Sequence, residues 1–219
     1  MKNKLQTKGF SGGLYTVNVR TGQINEILLL SDYKYNAPED DALPISGHEW
    51  SSDGKSIFFL FHKDRLVKHD LQTGEEKILY KSSDLARGVL QLSPDGKRLL
   101  IGLHHPGEEK SHLMTIPAAG GKEKELCASQ EAEDFTQAIW SPDGKYIYFT
   151  ERPEGTNLWR IPAEGGKPQK VWKSEKRAEM FNIHPDGDQI AFSVRERTTE
   201  IRVIENLRWE IAETYDKNE

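Results

Sequence analysis

Residues 140–149 read WSPDGKYIYF, and the chain repeats the phrase three more times: WSSDGKSIFF from Trp50, LSPDGKRLLI from Leu92 and IHPDGDQIAF from Ile183. The turn aspartates are Asp53, Asp95, Asp143 and Asp186, with gaps of 42, 48 and 43 residues. A second turn follows each of the first three phrases, at Thr73-Gly74, Gly120-Gly121 and Gly165-Gly166. It closes 21, 26 and 23 residues after the aspartate. A repeat of roughly forty to fifty residues with two tight turns in nearly fixed places is the organising feature of this sequence.

Each unit reads as four short strands. The first ends at the Trp, Leu or Ile before the phrase. In the S-P-D-G turn, proline presets φ, aspartate bonds the backbone beyond it and glycine takes a positive φ. Asp53-Gly54, Asp95-Gly96, Asp143-Gly144 and Asp186-Gly187 are therefore read as structural turn residues, not as metal ligands. The second strands, SIFFLF, RLLIGL, YIYFT and QIAFSV, are apolar at successive positions, which implies burial on both faces. Third strands follow in RLVKHDL, HLMTIPA, NLWRIPA and EIRVIEN, and fourth strands in EEKILY, KEKELC and KPQKVW. Long helical periodicity is absent.

Four-stranded units at this period are the mark of an all-β protein, a β-propeller of antiparallel blades stacked face to face. The phrase W-S-P-D-G-K followed by an apolar strand resembles the bacterial TolB-type, WD40-like propeller repeats, from about Gly13 to Asn206. The W-D dipeptide of true WD repeats is missing. The reading divides the chain into a leader at 1–12 and propeller repeats at 13–206. These comprise a partial blade at 13–30, blades at 46–80, 88–127 and 135–172, and a partial blade at 179–206. A charged tail follows at 207–219. The count is four to five blades. Either the termini share one blade and close a ring of four, or five whole and partial blades form an open arc able to self-associate.

Composition narrows the function. The net charge is −5, with 30% charged and 36% hydrophobic residues, so neither nucleic acid nor an anionic membrane is indicated as a partner. Cys127 is the only cysteine and reads as a small hydrophobe near a strand end. The basic start MKNKLQTKGF lacks a following apolar region, so the chain is expected to be cytoplasmic as written, or periplasmic if its N-terminus is incomplete. No apolar run is long enough to span a bilayer.

Chemistry is hard to find. Residues 9–13, GFSGG, match G-x-S-x-G, but Ser11 precedes a strand where a nucleophile elbow needs a helix. Phosphate loops, zinc spacings and nucleotide fingerprints are absent, so no cofactor and no metal is expected. Trp50 and Trp140 end first strands and are expected to pack between blades. One decorated face remains. Loops after the second strands carry His62, His104, His105, Glu151, Arg152, Arg195, Glu196 and Arg197. The inter-blade segment 31–45 adds Tyr33 and Tyr35 to that face.

Resemblance to the TolB-type repeats, whose namesake is a partner-binding protein of the cell envelope, implies a non-catalytic module recognising a protein or peptide through this loop face. Acidic residues 39–41 and the basic segment 173–177 offer a charge contrast to orient a partner. The competing expectations are a carbohydrate lyase or hydrolase with an axial site, and an accessory or sensor propeller detached from a larger peptidase or signalling protein.

Overall fold

The structure is a computed structural model, and it describes residues 13–29, 45–61, 64–82, 85–104, 108–130, 135–151 and 155–195. Every regular element among them is a strand. Three sheets have four antiparallel strands each. The first contains β3 (Ile45–Trp50), β4 (Ser56–Phe61), β5 (Arg65–Asp70) and β6 (Glu76–Lys81). The second contains β7 (Leu85–Leu92), β8 (Arg98–His104), β9 (Ser111–Pro117) and β10 (Lys124–Ala128). The third contains β11 (Phe135–Trp140), β12 (Tyr146–Glu151), β13 (Thr156–Pro162) and β14 (Gln169–Ser174). Each runs in simple chain order, so every blade is a meander.

Two-stranded sheets flank these blades. One is β1 (Gly13–Val17) with β2 (Ile24–Leu29), and the other is β15 (Arg177–Ile183) with β16 (Ile190–Arg195). They are separate sheets, so among the described residues the two ends of the repeat do not share a blade. The all-β array of four-stranded antiparallel blades read from the sequence is the architecture observed.

The S-P-D-G turn builds itself from three residues. In the first copy the Ser51 hydroxyl donates to Asp53 Oδ1 at 2.7 Å, and the Lys55 N–H donates to the same oxygen at 3.0 Å. Ser51 Oγ in turn accepts the Ser56 N–H at 2.9 Å. The same triangle recurs at Ser93, Asp95 and Lys97 and at Ser141, Asp143 and Lys145. In the last copy His184 replaces the serine and lies 2.7 Å from Asp186. Gly54, Gly96, Gly144 and Gly187 all have positive φ, between 68° and 86°, where a Cβ would strain the backbone.

The second strands explain why isolated blades would not be stable. Every residue of β4 is buried, and alternate side chains face opposite neighbours. Ile57, Phe59 and Phe61 cluster with Leu28 of β2, while Phe58 and Leu60 cluster with Leu99, Ile101 and Met114 of the next blade. A third cluster joins Leu100, Leu113 and Leu126 to Trp140, Phe149 and Trp159. A fourth joins Ile139 and Leu158 to Phe181. Consecutive first strands β3, β7, β11 and β15 lie against one another in that order, so they form the inner edge of the array.

Trp50 departs from the expectation. Trp140 is buried between blades, with Arg98 4.9 Å over its ring, but Trp50 is 49% exposed. The reason is the neighbour. Trp140 packs on a complete blade, whereas the sheet preceding Trp50 supplies only β1 and β2 among the described residues, a third and a fourth strand. No described inner strand lies there to cover it.

Candidate functional site

Antiparallel order sorts the connections into two ends. Links from first to second and from third to fourth strand share one end, the turn face. Links from second to third strand, and from one blade to the next, share the other, the loop face.

Among the residues read from sequence as the loop-face set, the structure describes the side chains of His104 and Glu151. Tyr33, Tyr35, His62, His105, Arg152, Glu196 and Arg197 lie outside the described residues, as do the acidic residues 39–41 and Ser11. Arg195 closes β16.

His104 and Glu151 are strand ends, not loop tips. His104 closes β8, half-buried, with Nδ1 3.1 Å from the Ser111 hydroxyl on β9. Glu151 closes β12 and is fully buried, so it is no part of a solvated contact surface. Its Oε1 accepts the Gln130 N–H at 2.5 Å, from the link that joins the preceding blade to its own. The carboxylate therefore ties one blade to the next.

Small polar groups are buried in the blades as well. Ser111, Ser129, Thr156 and Asn157 are all at most 1% exposed. The Ser129 N–H donates to the Ser111 carbonyl at 2.8 Å, and Thr156 Oγ1 accepts the Ala178 N–H at 2.8 Å. Between the third blade and the β15–β16 sheet, the Gln137 amide makes two bonds. Its Nε2 donates to the Phe181 carbonyl at 2.8 Å and its Oε1 accepts the Phe181 N–H at 3.0 Å. Gln91 Oε1 likewise accepts the Trp140 N–H at 2.6 Å. These groups were not singled out from sequence. The usable signal was a glutamine among the apolar residues that close a first strand, as in VLQL at 89–92 and QAIW at 137–140, where an unpaired amide would be costly.

Cys127 sits in the cluster that joins the second and third blades. Burial pushes its thiol up to about 12, with the Glu151 and Glu125 carboxylates adding to the effect. The thiolate needed for reactivity is absent at neutral pH.

The turn face has different chemistry. Hydrogen bonds from Ser141 and the Lys145 N–H hold the exposed Asp143 carboxyl down at about 2. Serine and backbone donors lower Asp53 and Asp95 in the same way. Each carboxylate is occupied by its own turn. A cleft of about 390 Å³ separates the Asp143 and Asp186 turns and is lined by Tyr146, Tyr148 and Asp188. Among the described residues no group of three or more His, Cys, Asp or Glu side chains is arranged to hold a metal ion. No helix among them is long and apolar enough to cross a membrane.

Comparison with known proteins agrees with this architecture. The family model for the TolB beta propeller domain matches residues 33–214. Among curated proteins, hydrazine synthase subunit beta of Kuenenia stuttgartiensis is 30% identical over 86 residues, covering 39% of this chain and 22% of that protein. Among solved structures, TolB from Acinetobacter baumannii superposes with a TM-score of 0.61 at 22% identity, over 81% of this chain and 42% of that one. Oligogalacturonate lyase from Vibrio parahaemolyticus gives 0.60 at 17% identity, over 83% and 52%. The chain spans about a fifth to a half of the length of these relatives. At such identities the structural likenesses speak for the fold alone.

Proposed function

The chain belongs to the TolB β-propeller domain family, and on that premise we propose that it is a non-catalytic binding propeller that recognises a protein or peptide through its loop face. One observation carries the reading. The two described side chains at the loop-face strand ends, His104 and Glu151, are spent on holding the scaffold together. They leave stiff strand ends from which the loops project.

A platform of this kind suits recognition. Second strands buried on both faces fix the blades, and the Gln91, Gln137 and Glu151 bonds fix one blade against the next. Loops anchored on such strands lose little conformational entropy when a partner docks. Tyr33, Tyr35, His62, His105, Arg152 and Arg197 supply the contact chemistry. Aromatic and arginine side chains are the residue types that carry most interface energy. The acidic residues 39–41 and the net-basic segment 173–177 offer a charge contrast to orient the partner.

The test compares the two faces. Full-length chain is used to capture partners from an extract of its source cells, beside Tyr35→Ala/Arg152→Ala and Lys55→Ala/Lys97→Ala variants. Loss of a captured protein in the loop-face variant, with retention in the turn-face variant, is the expected result. Turnover of a carbohydrate such as an oligogalacturonate, in the absence of any captured protein, would replace this reading with an enzymatic one.

A further inference from the structure

The second blade carries a histidine with a carboxylate at each ring nitrogen. His112 stands on β9. Its Nε2 lies 2.6 Å from Glu108 Oε2, and its Nδ1 lies 2.9 Å from Glu125 Oε1. Glu108 belongs to the link that precedes β9, and Glu125 stands on the next strand, β10. A neutral imidazole has one N–H and one bare nitrogen. Two contacts this short, each to a carboxylate, need a proton on both nitrogens. The arrangement is that of an imidazolium donating twice. The carboxylates approach opposite ring nitrogens, so the three groups do not converge on a point where a metal ion would sit.

The remaining surroundings are neutral or already paired. The cross-strand partners of His112 are Leu103 on β8 and Ala128 on β10. His104, next on β8, faces the Ser111 hydroxyl. Met114, on the same face of β9 as His112, lies in one cluster with Leu66 of the first blade, and Tyr80 packs against that cluster. Burial and the Glu123 carboxylate push the Tyr80 phenol up, so it stays uncharged through the neutral range. Asp64 and Arg65 of the first blade pair with each other at 2.8 Å. In the link itself Glu109 is exposed, and Lys110 Nζ donates to the Gln130 carbonyl at 3.4 Å. Burial alone would push the His112 imidazole down, but the bonds and charges of Glu125 and Glu108 outweigh it and raise the group.

We propose that His112 is a proton-operated clamp: in its charged form it ties the Glu108–Lys110 link to the outer strand β10, and on losing its proton it releases that link. The inference is independent of what the loop face binds. Deprotonation leaves one N–H for two carboxylates, and the second carboxylate then meets a lone pair. Glu125 stands on a strand paired to β9, so its backbone is held in place. Glu108 stands outside the ladder with half its side chain exposed, and it can return to water. The retained proton therefore sits on Nδ1, facing Glu125, and the released group is Glu108. The sign follows from the raised folded-state value. The clamp is complete below the ordinary histidine range and is lost as pH rises through the folded value.

The clamp adjoins the connection between two blades. Gln130, whose carbonyl accepts from Lys110, gives its own N–H to Glu151 of the third blade. Releasing the Glu108–Lys110 link loosens the hold of the second blade on that connection, so pH sets how firmly this end of the scaffold is ordered.

The test is a pH titration of the full chain carrying nitrogen-15 histidine, followed through the imidazole resonances, with His112→Gln to assign the His112 signals. The expected His112 midpoint falls in Glu108→Gln, falls in Glu125→Gln and is lowest in the double variant. Above the midpoint the wild-type ring should hold its proton on Nδ1. Amide-exchange protection of residues 108–112 should drop about fivefold or more as the wild-type protein passes through that midpoint. In Glu108→Gln it should stay low across the range. A midpoint indifferent to Glu108→Gln would overturn the proposal. So would a proton retained on Nε2, which would release Glu125 instead, and so would protection that does not change across the midpoint. The tautomer and the protection are read on wild-type protein, so they decide the matter even where a variant misfolds.

Discussion

Phe149→Ala should unfold this protein more than any other single truncation in the joint between the second and third blades. Phe149 is fully buried on β12. Its ring meets Phe135 edge-on, with centroids 5.2 Å apart at 89°, and stacks over Trp159 at 6.4 Å and 11°. Truncation removes the transfer energy of the ring, leaves a cavity between two blades that stiff strands cannot close, and forfeits both aromatic contacts. A buried phenylalanine truncated in this way costs about 3–5 kcal/mol. Against a typical total of about 5–15 kcal/mol, that is a large fraction. For a chain of this length it corresponds to a fall of roughly 6–20 °C in melting temperature. Urea unfolding followed by tryptophan fluorescence measures it, with Val19→Ala as control, since Val19 is 94% exposed. The midpoint should fall sharply for Phe149→Ala and stay within about 0.5 kcal/mol of wild type for the control. A loss below about 1 kcal/mol for Phe149→Ala would refute the claim that blade-to-blade apolar contact holds this array together.

Three further outcomes are expected. Gln137→Leu removes both side-chain bonds to Phe181 and leaves that residue's N–H and C=O unpaired, so chemical denaturation should show a loss of about 1–3 kcal/mol without a change in fold. The Asp143 carboxyl is held down at about 2, so its stabilising contribution is complete above the ordinary carboxylate range and is lost as pH falls toward 2. Melting temperatures measured from pH 5 to pH 2 should therefore drop less steeply in Asp143→Asn, which keeps an oxygen acceptor but cannot ionise. Burial holds the Cys127 thiol up at about 12, so a thiol reagent at pH 8 should leave it unmodified in native protein and label it fully once the chain is unfolded.

Much of the fold was readable because the repeat carries its own punctuation. An S-P-D-G turn makes its own bonds from Ser, Asp and Gly, so it signals in any context, and four copies fix the blade register. Runs such as SIFFLF declare burial on both faces, and β4 has it. What the sequence hid depends on neighbours. Trp50 and Trp140 occupy the same repeat position but face different sheets, and one is exposed while the other is buried. Glu151 at a strand end reads as a solvated loop residue, because nothing local announces that Gln130 of the preceding link will bond it. Met180 takes a φ of 48° in the irregular stretch of β15, at the repeat position where Gly47 takes 74° in β3. Methionine gives no local signal for that conformation.

The claim that the loop face is the recognition surface is tested most directly by site-specific photo-cross-linking. A benzophenone amino acid is placed at Tyr35 on the loop-face segment and, in a second protein, at Lys97 on the turn face, and both are irradiated in extract of the source cells. The account predicts one discrete protein adduct from position 35 and none from position 97. An adduct from position 97 alone would contradict it and move the binding surface to the S-P-D-G turns.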